Sequence, residues 1–171
     1  MQSSFVIFFI IAGLFLGAWK SFAQYYSTLL FWIIANLVYE LLLSNYRVWE
    51  FNPVWIDHLL LPTHNAISMA IAFIIYPFVL AIFLGRLPEK LQGQAGWILL
   101  WSILFTGVEL IAFLNDSISH HHGWSFRWSF LFNIVTFTLL IAHYRKPWTA
   151  WLLGGIFITA LYLIFDVPTP Y

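Results

Sequence analysis

Apolar runs, interrupted by short polar stretches, organise this chain from end to end. Six of them are about Ser3–Ala18, Ser27–Asn45, Asn65–Leu84, Ala95–Leu114, Trp128–Tyr144 and Thr149–Phe165. A hydrocarbon layer of ~30 Å needs about 20 helical residues at ~1.5 Å each, so each run predicts a membrane-crossing helix. The first is short, roughly 24 Å as a helix, and Trp19 and Lys20 behind it extend it by anchoring in the interface. No basic residue precedes Phe5–Leu16, and Lys20 follows it. That order argues for a first span rather than a cleaved signal peptide. Pro77 inside the third run predicts a kink, because proline donates no backbone hydrogen bond.

Between the second and third runs lies Tyr46 to Thr63. Asn52 followed by Pro53 reads as an N-cap and first helical position, and Pro62 ends the apolar run behind them. The segment predicts a short helix lying in the interface, with Trp49 and Trp55 at headgroup depth; a re-entrant segment is the alternative.

Composition supports the same class. The chain is 62% hydrophobic and 8% charged, against roughly 25% charged in a soluble domain, so it lacks the polar residues to cover a water-facing surface. The expectation is an all-α integral membrane bundle of about six transmembrane helices, forming a single domain over residues 1–171 with the lipid bilayer as its first partner. A formal net charge of zero offers no case for nucleic-acid binding. The absence of cysteine removes disulfides, thiolate metal sites and a cysteine nucleophile.

With six passes, Arg47 and Arg127 fall on one side and Lys20, Arg86, Lys90, Arg145 and Lys146 on the other. The excess of basic residues makes the second side cytoplasmic and places both termini outside. The same topology sends Glu50, Asp57, His58, His64, Asp116, Asp166 and the run His120-His121-His122 to the outer face. Glu40 and Glu109 lie inside spans, each on the order of 8 Å below the outer end of its helix.

An ionisable group inside a span costs about 2.5–3.5 kcal/mol at mid-bilayer on insertion scales, so it faces the bundle interior and takes a partner. Helical spacing places Asn36 with Glu40, Ser102 with Glu109 and Asp116, and Asn133 with Thr136 and His143 on common faces. These stripes predict an outward-open polar pocket roofed by the histidine loop. Its candidate ligand-binding residues are Asn36, Glu40, Glu50, His64, Glu109, Asp116 and Asn133. If Glu40 and Glu109 face each other, one holds a proton or a cation sits between them. A divalent metal held by His64, Glu109, His120 and His122 is a further possibility, although no zinc-protease spacing is present.

Each feature also has a structural explanation. Glu40 can pair with Arg47, consecutive histidines splay apart, and His143 beside Tyr144, Arg145 and Lys146 reads as a cytoplasmic anchor to lipid phosphates. Most tryptophans mark span ends, as in an aromatic belt. Gly154-Gly155 reads as a site of close helix packing.

Trp49-Glu50-Phe51, Leu61-Pro62-x-His64, Glu109, His122-Gly123-Trp124, Leu131-Phe132-Asn133 and His143-Tyr144-x-Lys146-Pro147 occur in that order. In these stretches the chain resembles a family of small multi-spanning membrane proteins of Bacillus, Clostridium and related Gram-positive bacteria. The resemblance implies a bacterial plasma-membrane location and an all-helical bundle. It lends weight to Glu50, His64, Glu109 and Asn133, but not to Glu40.

Three functional classes fit these readings. The first is a carboxylate–histidine site for a cation, a proton-coupled solute or a lipid headgroup. The second is a metal-assisted intramembrane hydrolase acting on lipid. The third is a non-catalytic subunit or sensor that docks a membrane-protein partner or a second copy of itself.

Overall fold

The computed structural model describes residues 2–54 and 57–168. Its helices are α1 (Gln2–Leu16), α2 (Phe22–Leu42), α3 (Asp57–Leu60), α4 (His64–Ala70), α5 (Tyr76–Phe83), α6 (Leu91–Phe113), α7 (Phe126–Arg145) and α8 (Pro147–Ile164). Among the described residues, five helical stretches are long and apolar enough to cross a membrane: Trp19–Leu42, His64–Phe83, Leu91–Phe113, Phe126–Arg145 and Pro147–Ile164. With 15 residues α1 is the short one, as its apolar run implied. The outside of the bundle is itself apolar: Phe15 is 82% exposed, Leu163 74% and Trp148 87%. Water would not tolerate so continuous an apolar surface, whereas lipid tails do. The fold is a membrane-embedded helical bundle.

Its core is aromatic. Trp32 of α2 stacks on Tyr76 of α5 with ring centroids 3.8 Å apart, while Phe83, Trp101, Phe105 and Phe137 interlock from α5, α6 and α7. Stacked, edge and tilted contacts of this kind let large flat side chains fill the space between helices.

Pro77 is accommodated without a break. The turn Ile71–Ile75, between α4 and α5, is π-helical, and the Tyr76 N–H reaches back to the Ile71 carbonyl. Widening the turn ahead of the proline re-routes the backbone bonds that it cannot complete. At its other end this span begins on Thr63, whose hydroxyl accepts from the Ala66 N–H at 3.2 Å.

The N-terminal helix docks on α5 through small residues. A side chain at Gly13 would meet Phe78, and one at Gly85 would meet Ala18, each at 2.4 Å from the added carbon. The end of α1 is capped from elsewhere: Trp19 Nε1 donates to the Gly13 carbonyl, Arg86 Nε to that of Leu16, and the Ala18 N–H to Ala81 O. These bonds satisfy carbonyls that a helix end leaves open. Gly154 and Gly155 behave otherwise. An added carbon at Gly155 meets nothing, and one at Gly154 only Leu139 at 3.8 Å. The expected close-packing role thus belongs to Gly13 and Gly85, and the α8 pair borders open space instead.

The Tyr46–Thr63 connection also departs from expectation. Trp49–Phe51 forms β1, which pairs antiparallel with β2 (Ile118–His120) in the register Trp49–His120, Glu50–Ser119 and Phe51–Ile118. The ladder is lengthened by Asn52 N–H to Ser117 O and His121 N–H to Val48 O. Asn52 therefore does not cap a helix, and Asn52–Val54 is irregular. Among the described residues the helix here is α3, Asp57–Leu60; the expectation for Trp55 falls outside them. Pairing with a distant loop satisfies the backbone groups that an interfacial helix would have satisfied internally.

Described residues near each end of the chain lie beside this ribbon. Phe5 packs near Phe51 and Ile118, and Phe165 and Val167 pack with Val48 and Trp124. At the opposite end Arg86 meets Leu16, and Tyr25 meets Tyr144. His143 is buried there rather than anchored to headgroups: its Nδ1 bonds Thr28 Oγ1 at 3.0 Å and its ring stacks on Phe31.

Gly13→Leu should lower the thermal unfolding temperature of the protein in detergent, since overpacking such a contact costs about 1–3 kcal/mol. Gly155→Ala, where the space is open, should leave that temperature unchanged.

Candidate functional site

Two carboxylate–histidine pairs stand at the ribbon end. The first joins α2 to α4: His64 Nε2 lies 2.9 and 3.2 Å from the two oxygens of Glu40. The Phe51 N–H, in β1, donates to His64 Nδ1 at 2.9 Å. An Nδ1 that accepts carries no proton, so His64 is the neutral Nε2–H tautomer and donates to Glu40. The pair is charged through its carboxylate alone. Asn36, one turn earlier on α2, donates to Ser68 Oγ at 3.0 Å and accepts from the Tyr76 hydroxyl at 3.1 Å. The Ser68 hydroxyl in turn faces Glu40.

The second pair joins α6 to β2. His120 Nε2 lies 2.8 Å from Glu109 Oε1, and the Ser129 hydroxyl of α7 donates to the same oxygen at 2.5 Å. Trp124 Nε1 donates to Ser129 Oγ at 2.8 Å, so indole, hydroxyl and carboxylate form one directed chain. Both bonds to Glu109 end on Oε1; among the described residues none reaches Oε2. Asn133, one turn beyond Ser129, donates to Thr106 of α6 at 3.1 Å.

The sequence-derived residues therefore sort into three groups. Asn36, Glu40 and His64 meet in one cluster, and Glu109 and Asn133 border a second. Glu50 lies on the outer side of the ribbon, bridged to Arg47 at 2.8 Å, while Arg47 also donates to Asn65. Asp116 is exposed in the left-handed turn after α6 and joins neither cluster. Glu40 and Glu109 do not share a proton face to face, because each has its own histidine. The partner of Glu109 is the loop residue His120, not His64 across the bundle: pairing of β2 with β1 turns that side chain back onto α6.

The expected metal set is divided in the same way. His64 belongs to Glu40, His120 to Glu109, and His122, held at a φ of 53°, stacks on Tyr46 at 3.7 Å. Among the described residues no three His, Asp or Glu side chains converge to hold a metal ion. Sequence reasoning did not single out Ser129, Trp124, Ser68 and Tyr76 as partners. Ser129 had a usable signal, four residues before Asn133 on the same α7 face.

Two cavities lie in the bundle, and of the two pairs only Glu109 borders one of them. The larger, about 350 Å³, lies between α2, α7 and α8 and is bordered by Tyr39, Trp49, Trp124, Phe132, Leu139 and the Gly154-Gly155 backbone. The smaller, about 170 Å³, reaches Glu109, Ser129 and Asn133. They share Trp32, Trp49, Tyr76, Trp124, Phe132 and Thr136 as common walls. Tyr162 Oη to Leu42 O and Tyr46 Oη to Phe165 O tie α8 to α2 above the larger cavity. The two apolar cavities are neighbours, and the smaller is bordered by a carboxylate, a hydroxyl and an amide.

The chain matches no protein-family model, no curated protein and no solved structure.

His64→Ala removes one donor from the Glu40 carboxylate and the acceptor of the Phe51 N–H, and losing a hydrogen bond to a charged group costs about 1.5–3 kcal/mol. The variant should unfold at clearly lower temperature in detergent. His121→Ala, at an exposed position, should stay within about 0.5 kcal/mol of the parent protein.

Proposed function

We propose that this protein binds a lipid-like amphiphile at the outward-facing end of the bundle. The apolar part lies in the larger cavity and the polar head reaches Glu109, Ser129 and Asn133. The observation that carries this reading is the shared wall between an apolar cavity and a smaller one ending in those polar groups. Ligand sites typically combine such an apolar lining with a few placed polar atoms. The outward orientation rests on Lys20, Arg86, Lys90, Arg145 and Lys146, which belong to the end opposite the ribbon and favour the cytoplasm. The plasma membrane of a Gram-positive bacterium is the proposed setting, on the strength of the resemblance in the Trp49–Phe51, Leu61–His64 and Leu131–Asn133 stretches.

A free metal cation is the weaker reading, because among the described residues no three ligands converge. The same fact weakens a metal-assisted hydrolase. Thermal stability of the detergent-purified protein separates these readings. Single-chain amphiphiles should raise the unfolding temperature, and a panel of divalent cations should not. Gly154→Leu directs a side chain beside Leu139 into the larger cavity and should abolish stabilisation by the amphiphile. Stabilisation by cations alone would overturn the proposal.

A further inference from the structure

We propose that the end opposite the ribbon carries a binding site for the phosphate of an anionic membrane lipid, built by Lys20, Arg86 and Lys90. The site is independent of the amphiphile reading, which concerns the ribbon end.

Three connections bring basic residues to this end. Lys20 lies in the Trp19–Ser21 turn between α1 and α2, Arg86 and Lys90 lie between α5 and α6, and Arg145 and Lys146 lie where α7 meets α8. All five are exposed. Of the seven acids in the chain, only Glu89 belongs to these connections. Among the described residues none of the five has a carboxylate partner, whereas Arg47 at the ribbon end is bridged to Glu50. The field at this end is therefore positive and unbalanced.

The backbone draws the first three residues together. The Ala18 N–H donates to Ala81 O at 3.0 Å, and a side chain at Gly85 would meet Ala18, so Lys20 and Arg86 flank one helix contact. The turn that carries Lys90 is held as well: Gln94 Nε2 donates to the Pro88 and Glu89 carbonyls at 2.8 and 3.3 Å. Arg86 is the preorganised member. Its Nε donates to Leu16 O at 2.9 Å, which orients the guanidinium plane. Among the described residues Nη1 and Nη2 then have no partner. Two such nitrogens match two oxygens of one phosphate, a geometry that an ammonium does not offer.

The surface around these cations is apolar. Phe15 and Leu16, beside the carbonyl that holds Arg86, are exposed, and so are Trp19 beside Lys20 and Leu91 beside Lys90. A free anion would gain nothing from those side chains. A lipid can set its phosphate on the guanidinium and lay its tails along the end of α1.

The test titrates dioleoylphosphatidylglycerol or dioleoylphosphatidylcholine into the purified protein in maltoside micelles and reads the unfolding temperature. The two lipids share their tails, so the difference between them reports the headgroup. Phosphatidylglycerol should act at more than tenfold lower concentration. Lys20→Gln and Lys90→Gln should each cut that preference about fivefold, the share of one basic residue near an anionic headgroup. Arg86→Lys, which keeps the charge without the paired nitrogens, should lower it too, and Arg86→Gln further. Arg127→Gln removes an exposed charge at the ribbon end and should leave the preference unchanged. Equal response to the two lipids would overturn the site, and so would an equal loss in Arg127→Gln. A full preference in Arg86→Lys would overturn the role given to Arg86. Inorganic phosphate stabilising at the same concentration as phosphatidylglycerol, and failing to do so in Arg86→Gln, would overturn the lipid in favour of a free anion.

Discussion

Two carboxylates inside an apolar bundle set the problem that the ribbon end of this protein solves. Glu40 and Glu109 sit on membrane-spanning helices, where a bare charge is costly and a partner is required. The partners come from outside the spans or from their very ends: His64 at the start of α4, and His120 at the end of β2. The ribbon serves both. Its Phe51 N–H fixes the His64 tautomer, and its second strand places His120 against Glu109. Without β1–β2 pairing, neither histidine would have a defined orientation toward its acid. The ribbon therefore makes the end of the bundle a single polar unit rather than a set of loops.

That unit frames an apolar space instead of filling it. The walls are aromatic rings from α2, α5, α7 and the ribbon, packed against one another tightly enough to hold a cavity open. Gly154 and Gly155 border it without side chains, while the bonds from Tyr46 and Tyr162 tie the end of α8 to that of α2.

The interior of the other end is built for packing. Gly13 and Gly85 let α1 approach α5, the Trp19 indole and Arg86 guanidinium cap α1, and the π-helical turn absorbs Pro77. His143 is satisfied by Thr28 and Phe31 within the bundle.

Hydrophobic periodicity and composition determined the class of this protein: an all-helical membrane bundle, with Glu40, Glu109, His64 and Asn133 marked as groups needing partners. These follow from the chain alone because span length and the cost of a buried charge depend on local residue identity. Tertiary structure decided who partners whom. The pairing of three-residue strands separated by some seventy positions leaves no local pattern, so His120 rather than His64 reached Glu109, and Asn52 capped no helix. Equally, a glycine permits close packing only where another helix stands beside it. The same residue type therefore made a contact at Gly13 and a cavity wall at Gly154.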